Sequence, residues 1–497
     1  RLLTLADYDH PYRTMDPAYE AETLELFAQL VEKNLVYRAL KSVHWSIENR
    51  TALAEAELEY YEREDESVYV EFEAADKAAL ARAFGLEDLD RTPTFMIWTT
   101  TPWTLPANLA IAVQPQAEYA LIDLAGSLTV VAAKLVERVA SRTDSKARTL
   151  ATCPGERLVG LRYRHPLYDE PAEARLRALG ADPKAPLWTI VPAEHVTLED
   201  GTGLVHTAPG HGREDELVGR ACGLPIYCPV RDDGSYDRSV PEHLQGLRVW
   251  EANARIVEQL RDSGHLHHSE RVRHSYPHDW RGKSPVIFRA TEQWFIRVDG
   301  DGAEAPNLRR LGLEATQRDI EFIPPWGRSR LQGMLESRPD WCISRQRAWG
   351  LPIPAFVDRE GRVLLTAASV RAVAKVVREE GSDAWFTRSA SELLAGYDAA
   401  SDPQAPQGLD LASLEKTYDI FDVWFESGSS WRAVMQQRGF GFPCDLYLEG
   451  SDQHRGWFQV SLLTALGAEG RAPFRTLLTH GFMVDKDGRA MSKSLGN

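Results

Sequence analysis

The sequence has little cysteine for its length. Five cysteines stand among 497 residues, and none of them forms a C-x-x-C pair. This usage is typical of a reducing cytosol and argues against both a disulfide framework and a zinc knuckle. We therefore expect a cytoplasmic protein with no protein-bound zinc.

Long apolar runs are also lacking. No stretch approaches the roughly 18 uninterrupted apolar residues that a membrane-spanning helix requires. The first residues, RLLTLADYDHPYRTMD, have no apolar run with a basic flank, so they do not read as a secretory signal. We expect no membrane association. The chain starts without Met and stops at MSKSLGN, which we interpret as a cut from something longer.

Positive charge is in the minority. Lys and Arg number 57 against 73 Asp and Glu, which gives a formal net charge of −16. A chain with this balance repels polyanions as a whole, so any contact with nucleic acid must be local. Hydrophobic residues at 43% provide ample material for a core, and the length suggests about three domains.

Hydrophobic periodicity divides the chain into regions of different character. Apolar spacing predicts helices from about 17 to 33, 249 to 260 and 370 to 380. Short β-like pieces separated by Gly, Pro and Asp fill the section from about 92 to 250. After about 283, strand-like and helix-like segments alternate, which indicates a largely parallel sheet. The predicted fold class is therefore α/β, with a β-rich insertion.

A basic and aromatic stretch, RVRHSYPHDWRGK, runs from Arg271 to Lys283 within this acidic protein. Two interpretations are open. It is a candidate for a local contact with nucleic acid, and it is equally a solvated surface held by salt bridges.

The string GSDQHRGW, from Gly450 to Trp457, follows a predicted strand and precedes a predicted helix. Parallel sheets bind ligands at the carboxyl ends of their strands, where Gly permits close backbone approach and a carboxylate accepts hydrogen bonds from ribose hydroxyls. Asp452 is the natural ribose partner. The alternative is a simple helix cap at Ser451 or Asp452, which leaves His454 unexplained.

The string GRAMSKSLGN, from Gly488 to Asn497, combines small residues with one lysine. A loop of this kind suits closure over a polyphosphate, with Lys493 neutralising the charge that builds in the transition state. Taken alone, an S-K-S tripeptide is better explained as a solvated loop, and only together with the string GSDQHRGW does it indicate a polyphosphate site.

Two polar strings lie in the β-rich insertion: IWTTTPWTLPAN, residues 97–108, and GTGLVHTAPGHGREDE, residues 201–216. Period-two geometry places Thr99 and Thr101 on one face of a strand and Thr100 on the other. If the two strings meet, they form a small polar pocket with one carboxylate. Taken singly, His206 is better explained as a satisfied core histidine, and Asp215 as a loop or cap carboxylate.

Six strings in this order resemble the bacterial isoleucyl-tRNA synthetase family, and the resemblance covers essentially the whole chain. The valyl and leucyl siblings differ at the threonine-rich stretch, where they carry an Arg-Pro pair. The strings are WTTTPWTLPAN (98–108), GTGLVHTAPGHG (201–212), RPDWCISRQRAWG (338–350), DVWFESG (422–428), YLEGSDQHRGWF (447–458) and AMSKS (490–494).

The resemblance implies a class I Rossmann-type core interrupted by an editing domain. The implied segments are core at 1–45, inserted β-rich editing domain at 46–275, and core again at 276–497. The implied activity is activation of L-isoleucine by ATP with Mg, transfer to tRNA(Ile), and hydrolysis of misattached valine in the insertion. A monomer is expected.

The resemblance also implies roles for individual residues. In the core, Lys493 serves the pyrophosphate-bearing transition state and the ATP site, and Gly450 and Asp452 contact the adenosine. Further core residues hold or wall the amino acid: Glu449, Gln453, Trp424 and Trp457. In the insertion, Asp215 holds the α-ammonium of the misattached valine, and the pocket is lined by Thr99, Thr100, Thr101, Thr104, Asn108 and His206.

The sequence departs from the family pattern in three places. The HIGH signature is absent, so we expect that residues 1–497 alone do not carry out normal adenylation. Ala490 stands where KMSKS has its first lysine, and Ser46, Asn49 and Asp279 stand where some relatives place cysteines. A sibling synthetase for valine or leucine, and a catalytically silent tRNA-binding paralogue, are the alternatives.

Overall fold

The computed structural model describes residues 7–491 of the chain. Its α-helices are α1 Pro17–Glu32, α2 Lys77–Ala83, α3 Val136–Arg142, α4 Ala172–Ala178, α5 Arg213–Cys222, α6 Val249–Asp262, α7 Leu308–Arg318, α8 Trp326–Glu336, α9 Ala367–Glu380, α10 Ala384–Thr387, α11 Ala390–Leu393, α12 Val423–Gly428 and α13 Trp457–Glu469.

The strands are short in most of the chain and long where they form a ribbon. They are β1 Val36–Ser46, β2 Thr51–Leu53, β3 Leu58–Glu73, β4 Thr94–Thr99, β5 Ala110–Val113, β6 Glu118–Leu124, β7 Ser127–Ala132, β8 Ala147–Pro154, β9 Thr189–Pro192, β10 Val205–Thr207, β11 Leu266–Asp279, β12 Ile287–Ile296, β13 Glu321–Ile323, β14 Trp341–Cys342, β15 Ser344–Arg345, β16 Phe356–Val357, β17 Val363–Leu364, β18 Glu415–Lys416, β19 Ile420–Phe421, β20 Cys444–Gly450 and β21 Phe474–His480.

The chain divides into two compact units. The first, which we call the core unit, combines Arg1–Ala39 with Gln293–Asn497, and the second, the inserted unit, is Leu40–Glu292. Strands β1 and β12 carry the chain out of the core unit and back into it. The sequence-based prediction puts these changes after residues 45 and 275, whereas the units change after Ala39 and Glu292.

The inserted unit is built on β-sheets. A six-stranded sheet has the order β11-β3-β4-β7-β6-β8, and a three-stranded sheet has the order β10-β5-β9. Strand β6, EYALIDL, is buried along most of its length on both faces, as expected for an interior strand that is covered on both sides. Its apolar side chains form the centre of this unit together with those of β4 and β7.

Strands β3 and β11 form an antiparallel ribbon that contains most of the basic stretch. Arg271 lies 3.4 Å from Glu64, Arg273 lies 3.5 Å from Glu62, and each of these four side chains is mostly exposed. Lys283, which follows β11, contacts Glu59 at 2.6 Å. The acidic strand therefore offsets the charge of the basic one, which favours the interpretation as a salt-bridged surface.

A parallel sheet positions the string GSDQHRGW of the core unit. Strand β21 pairs in parallel with β20 on one side and with β13 on the other. Helix α13 connects β20 to β21 and is apolar and buried on nearly all sides, as expected for a helix at the centre of a domain. Helix α1 packs against both α9 and α13.

A buried ion pair joins two of the quoted strings in the core unit. The side chains of Arg345 and Asp422 are 1% and 0% exposed and lie 3.1 Å apart. The Trp341 indole N–H also donates to Asp422 at 2.8 Å, and the Arg345 guanidinium donates to the Ser344 carbonyl at 2.8 Å. Asp422 is the N-cap of α12, so this pair fixes the helix that carries Trp424.

The α/β class predicted from the sequence is confirmed, and so are the helices predicted near residues 17, 249 and 370. Among residues 7–491, no helix has the length and apolar character needed to cross a membrane. Within the same residues, no three His, Cys, Asp or Glu side chains are grouped in a way that suits a metal ion.

Replacing Asp422 with Ala should destabilise the chain by about 3–5 kcal/mol, because it removes a buried carboxylate that the buried Arg345 guanidinium contacts. Chemical unfolding followed by circular dichroism measures the loss. The control is Glu314→Ala, which removes an exposed i,i+4 pair with Arg310 and should change stability by about 0.5 kcal/mol or less. Equal effects of the two substitutions would contradict the assignment.

Candidate functional site

The threonine-rich string and the His/Asp loop, a hundred positions apart, meet in the inserted unit. Strand β4 ends at Thr99, and a 3-10 helix, Pro102–Ala107, leads from it to β5. Strand β5 pairs with β10 in a register that sets Ile111 opposite His206. The imidazole is thereby brought to the 3-10 helix, where Thr104 Oγ1 lies 2.7 Å from His206 Nε2.

The hydrogen bonds around His206 define its tautomer. Asn108 accepts from the Tyr163 hydroxyl through Oδ1 at 2.6 Å, so its amide nitrogen is the group that donates to His206 Nδ1 at 2.9 Å. Nδ1 is therefore an acceptor and carries no proton. The proton of the neutral ring sits on Nε2, which donates to Thr104 Oγ1.

His206 is 8% exposed, and burial lowers its pKa to about 3. The ring is therefore neutral near pH 7, and it is neither a proton donor of the imidazolium type nor a free base, because Asn108 occupies its lone pair. Its role in this geometry is to orient the Thr104 hydroxyl.

The remaining threonine hydroxyls continue the chain of hydrogen bonds. Thr104 donates to the Thr101 carbonyl at 2.9 Å, and the hydroxyls of Thr101 and Thr104 lie 3.4 Å apart. Thr99 and Thr101 hydroxyls lie 3.1 Å apart, as the period-two argument predicts. Thr100 makes no side-chain hydrogen bond in the part of the chain that the structure describes.

Asp215 lies in the first turn of α5 and is held to the same loop. Its carboxylate accepts a hydrogen bond from the Ala208 backbone N–H at 2.8 Å, two residues after His206. Burial raises the pKa of this carboxyl to about 7, against the opposing effect of that hydrogen bond. Because this carboxyl ionises near neutral pH, a cation that binds beside it would stabilise the carboxylate form.

A second polar cluster lies at the carboxyl end of β20, in the core unit. A Cβ atom on Gly450 would come within 2.8 Å of Asp452 Oδ1, so glycine is needed for the strand to turn into the 3-10 helix Ser451–His454. Asp452 is exposed, and its carboxylate accepts a hydrogen bond from Gln453 Nε2 at 3.3 Å. Glu449 bonds the Gly450 N–H at 2.9 Å.

Two tryptophans pack around the start of α13. A Cβ atom on Gly456 would come within 2.8 Å of the Trp424 ring, so this glycine allows the indole to pack against the backbone. Trp457 stacks on Tyr447 with ring centroids 4.0 Å apart, and its indole N–H donates to Ser430 at 2.9 Å. Both indoles are half-buried and border the cluster that contains Gln453, whose side-chain oxygen accepts from Trp457 N at 2.9 Å.

The structure thus groups the predicted residues into two clusters. Thr99, Thr101, Thr104, Asn108, His206 and Asp215 belong to one, and Trp424, Glu449, Gly450, Asp452, Gln453 and Trp457 to the other. Lys493 lies outside the described residues, and Ala490 forms a β-bridge with Val484.

Sequence reasoning missed one residue that orients the first cluster and one buried acid on the helix that carries Trp424. Tyr163, which orients Asn108, stands in a loop with no motif around it. Glu426 lies in the quoted string DVWFESG and accepts a hydrogen bond from Leu351 N at 3.3 Å. Burial raises the pKa of its carboxyl to about 7. In the sequence, the only signal for this residue is that it is an acid on a short helix that ends in glycine.

Comparison with known proteins places the chain in a family. The model of the class I tRNA synthetases (I, L, M and V) matches residues 1–497. The chain is 46% identical to the isoleucine–tRNA ligase of Aquifex aeolicus, over 100% of this chain and 51% of that protein. It is 44% identical to the isoleucine–tRNA ligase of Aquifex pyrophilus, over 100% of this chain and 90% of that sequence.

The chain spans about half the length of the first of these relatives and 48% of the isoleucine–tRNA ligase of a Synechococcus species, to which it is 46% identical over 99% of its own length. Among solved structures, it is similar at 17% identity and a TM-score of 0.33 to a LeuRS–tRNA–LeuAMS complex of Agrobacterium radiobacter, over 97% of this chain and 54% of that one. The chain belongs to the class I tRNA synthetases and, within that class, to the isoleucine–tRNA ligase family.

Replacing Thr104 with Val should destabilise the inserted unit by about 1–3 kcal/mol, because the buried Nε2–H of His206 loses its acceptor while the side-chain shape is kept. Chemical unfolding measures the change. Thr100→Val is the matched control, since it removes a hydroxyl that makes no side-chain hydrogen bond among the described residues. A Thr104 variant as stable as the control would show that the His206 bond is not stabilising.

Proposed function

We propose that this chain carries the amino-acid activation and editing sites of an isoleucine–tRNA ligase. In the full reaction, L-isoleucine and ATP form isoleucyl-adenylate, and the isoleucyl group then passes to tRNA(Ile). The observation that carries the proposal is the direct bond between Thr104 and His206, which joins two family strings into one polar site. We further propose a cytoplasmic monomer.

The cluster at the end of β20 suits the adenylate. Asp452 is exposed with a modest hydrogen bond to a neighbour, so its carboxylate is available to ribose hydroxyls, and Gly450 allows the adenosine to approach the backbone. Trp424 and Trp457 would wall the isoleucine side chain, with Gln453 and Glu449 beside the amino acid. Mg would arrive with ATP, and Lys493 would neutralise charge on the departing pyrophosphate.

The cluster in the inserted unit suits hydrolysis of an aminoacyl ester. The Asp215 carboxylate would bind the α-ammonium of the misattached valine. The hydroxyls of Thr99, Thr100, Thr101 and Thr104 would line the site with Asn108 and His206, and would position a water against the ester carbonyl. Because His206 is neutral and fully hydrogen-bonded, it positions a hydroxyl, and the mechanism requires no protein nucleophile.

Two sites are needed because isoleucine and valine differ by one methylene. It is an established limit, for which isoleucyl-tRNA synthetase is itself the standard example, that one methylene in an apolar pocket is worth roughly 1–3 kcal/mol. A synthetic site that fits isoleucine therefore admits valine. A second site that excludes the larger side chain and hydrolyses the smaller product supplies the missing selectivity.

The value of kcat/KM for valyl-tRNA(Ile) hydrolysis by this chain should rise with pH through about 7. Below that pH the Asp215 carboxyl is protonated and neutral, and above it the carboxylate binds the ammonium. Asp215→Asn should lower the rate on the order of 100-fold and remove the inflection, because a close charge pair is lost. Spontaneous ester hydrolysis, measured without protein at each pH, is subtracted.

The matched control is Glu214→Gln, because Glu214 is the exposed neighbour of Asp215 on α5. It should leave the rate above pH 7 unchanged and move the inflection slightly to lower pH, because the charge of Glu214 contributes to raising the pKa of Asp215. Tight tRNA binding without any turnover would support the silent paralogue instead. If the Asp215 variant retains turnover, another group binds the ammonium.

A non-hydrolysable isoleucyl-adenylate analogue tests the second cluster. Asp452→Ala should weaken its binding by about 10- to 100-fold in isothermal titration calorimetry, because hydrogen bonds from the ribose hydroxyls to a charged acceptor are lost. Asp445→Ala is the control, since Asp445 lies on the same strand with its side chain 94% exposed. Equal affinities for both variants would argue against ribose recognition by Asp452. A valyl analogue that binds more tightly than the isoleucyl one would favour a sibling enzyme.

A further inference from the structure

The string RPDWCISRQRAWG, residues 338–350, supplies no residue to either cluster, and it ends in an exposed indole. Trp349 is 82% exposed, the largest exposed fraction among the tryptophans of residues 7–491. Its ring stacks on no other ring in that part of the chain, whereas the exposed Trp326 packs against His454 with ring centroids 5.8 Å apart. An indole left in water costs free energy that burial of its faces would recover.

Two further exposed rings border the same place. A Cβ atom on Gly350 would lie 2.5 Å from Ile420 Cδ1, so the residue after Trp349 packs directly on Ile420. Two residues before Ile420, Tyr418 is exposed and stacks on the exposed Phe386, with ring centroids 6.4 Å apart. Exposed rings therefore flank both partners of this contact. One exposed apolar residue needs no explanation, but a group of them marks an interaction site.

The loop that carries Trp349 is held at both ends. Before the tryptophan, Gln346 Nε2 donates to Asp419 Oδ1 at 3.0 Å. After it, Leu351 N donates to Glu426 Oε1 at 3.3 Å. The exposed ring is therefore presented on a backbone that is already fixed, which lowers the entropic cost of binding a ligand to it.

The same loop borders the proposed adenylate cluster. Glu426, which holds Leu351, lies on α12 two residues after Trp424. The Trp424 ring packs in turn against Gly456 at the start of α13. Trp349 and Trp424 are thus each two residues from the hydrogen bond between Leu351 and Glu426. The exposed indole lies beside the helix that would wall the amino-acid site.

The charge of the loop is compatible with a nucleic acid. Residues 346–351, QRAWGL, contain one cation, Arg347, and no acid. The two carboxyl groups that the loop contacts, Asp419 and Glu426, are half-buried, and burial raises the pKa of each, to about 7 for Glu426. The net charge of −16 gives no general attraction for phosphates. A strand that binds here therefore gains most from contacts with its bases.

We propose that Trp349 stacks on an unpaired base at the 3′ end of tRNA. The proposal rests on the proposed function, because the tRNA end must reach the adenylate in order to accept the isoleucyl group. Unpaired bases are recognised by stacking on aromatic side chains, and the flat faces of ring and base then leave water together. The position beside α12, the fixed loop and its cation favour a nucleotide over a protein segment.

The test is a double-mutant cycle between the chain and the tRNA, with the Kd measured by fluorescence anisotropy of 5′-labelled tRNA(Ile) and the whole 497-residue chain. Trp349→Ala should weaken binding of intact tRNA(Ile) about tenfold, because the stacking of one base on an aromatic ring is lost. It should not change binding of a tRNA(Ile) that is shortened at its 3′ end to the last paired nucleotide. Trp349→Phe keeps a ring and should restore most of the affinity.

Phe440→Ala is the matched control, because Phe440 is an exposed aromatic residue of the core unit outside this loop. It should leave the affinity for both tRNAs unchanged. The slope of log Kd against log salt should be the same for Trp349→Ala and the unsubstituted chain, because the indole neutralises no phosphate. Equal affinities of these two chains for intact tRNA would overturn the proposal. An equal loss with the shortened tRNA, or an unsubstituted chain that does not bind tRNA(Ile), would overturn it as well.

Binding of the isoleucyl-adenylate analogue to the unsubstituted chain separates this proposal from the proposed function. If the analogue binds but Trp349→Ala binds intact tRNA as well as the unsubstituted chain does, only the stacking role is wrong. If the analogue does not bind, the proposed activation site is wrong, whatever the tRNA result.

Discussion

The inserted unit depends on one constraint: a buried imidazole must have every polar atom paired. His206 meets this requirement by accepting from Asn108 and donating to Thr104. Because Thr104 lies within one short 3-10 helix and Asn108 is its C-cap, the ring fixes the conformation of the whole threonine-rich turn. Removing either bond would leave an unsatisfied group in a medium where its desolvation is costly. The hydroxyls of the turn are therefore placed before any ligand arrives.

The same burial acts in opposite directions on the two titratable groups of this cluster. It lowers the pKa of His206 to about 3 and raises that of Asp215 to about 7, because in both cases the charged form is disfavoured. Near neutral pH the free site therefore carries little charge. A ligand with an ammonium group supplies the counter-charge that the carboxyl lacks, whereas a neutral ligand does not. Selectivity for a cationic group thus follows from the desolvation of one carboxylate.

Local patterns in the sequence predict the parts of this structure that depend on neighbours in the chain. The stripe that begins after Asp16 predicts α1, and Gly264 marks the end of α6, because both signals act within a few residues. From the sequence, the bond between Thr104 and His206 could be predicted only as a general contact between the two strings that contain these residues. No periodic pattern specifies a contact over a hundred residues, and Tyr163 carries no signal because any buried hydroxyl would serve. The sequence does not predict the Arg345–Asp422 pair either, because these two residues are also far apart in the chain.

The ribbon of β3 and β11 shows how the third dimension changes the meaning of a charge pattern. Read along the chain, Arg271, Arg273 and Lys283 form a basic patch that suits a polyanion. Across the ribbon, each lies beside a glutamate at 2.6–3.5 Å. A phosphate that approaches this surface meets both signs at similar distances, and within a Debye length of roughly 8 Å their fields largely cancel. The chain has a net charge of −16, so it attracts a nucleic acid only through cations that have no acidic strand beside them. Arg271, Arg273 and Lys283 do not meet this condition.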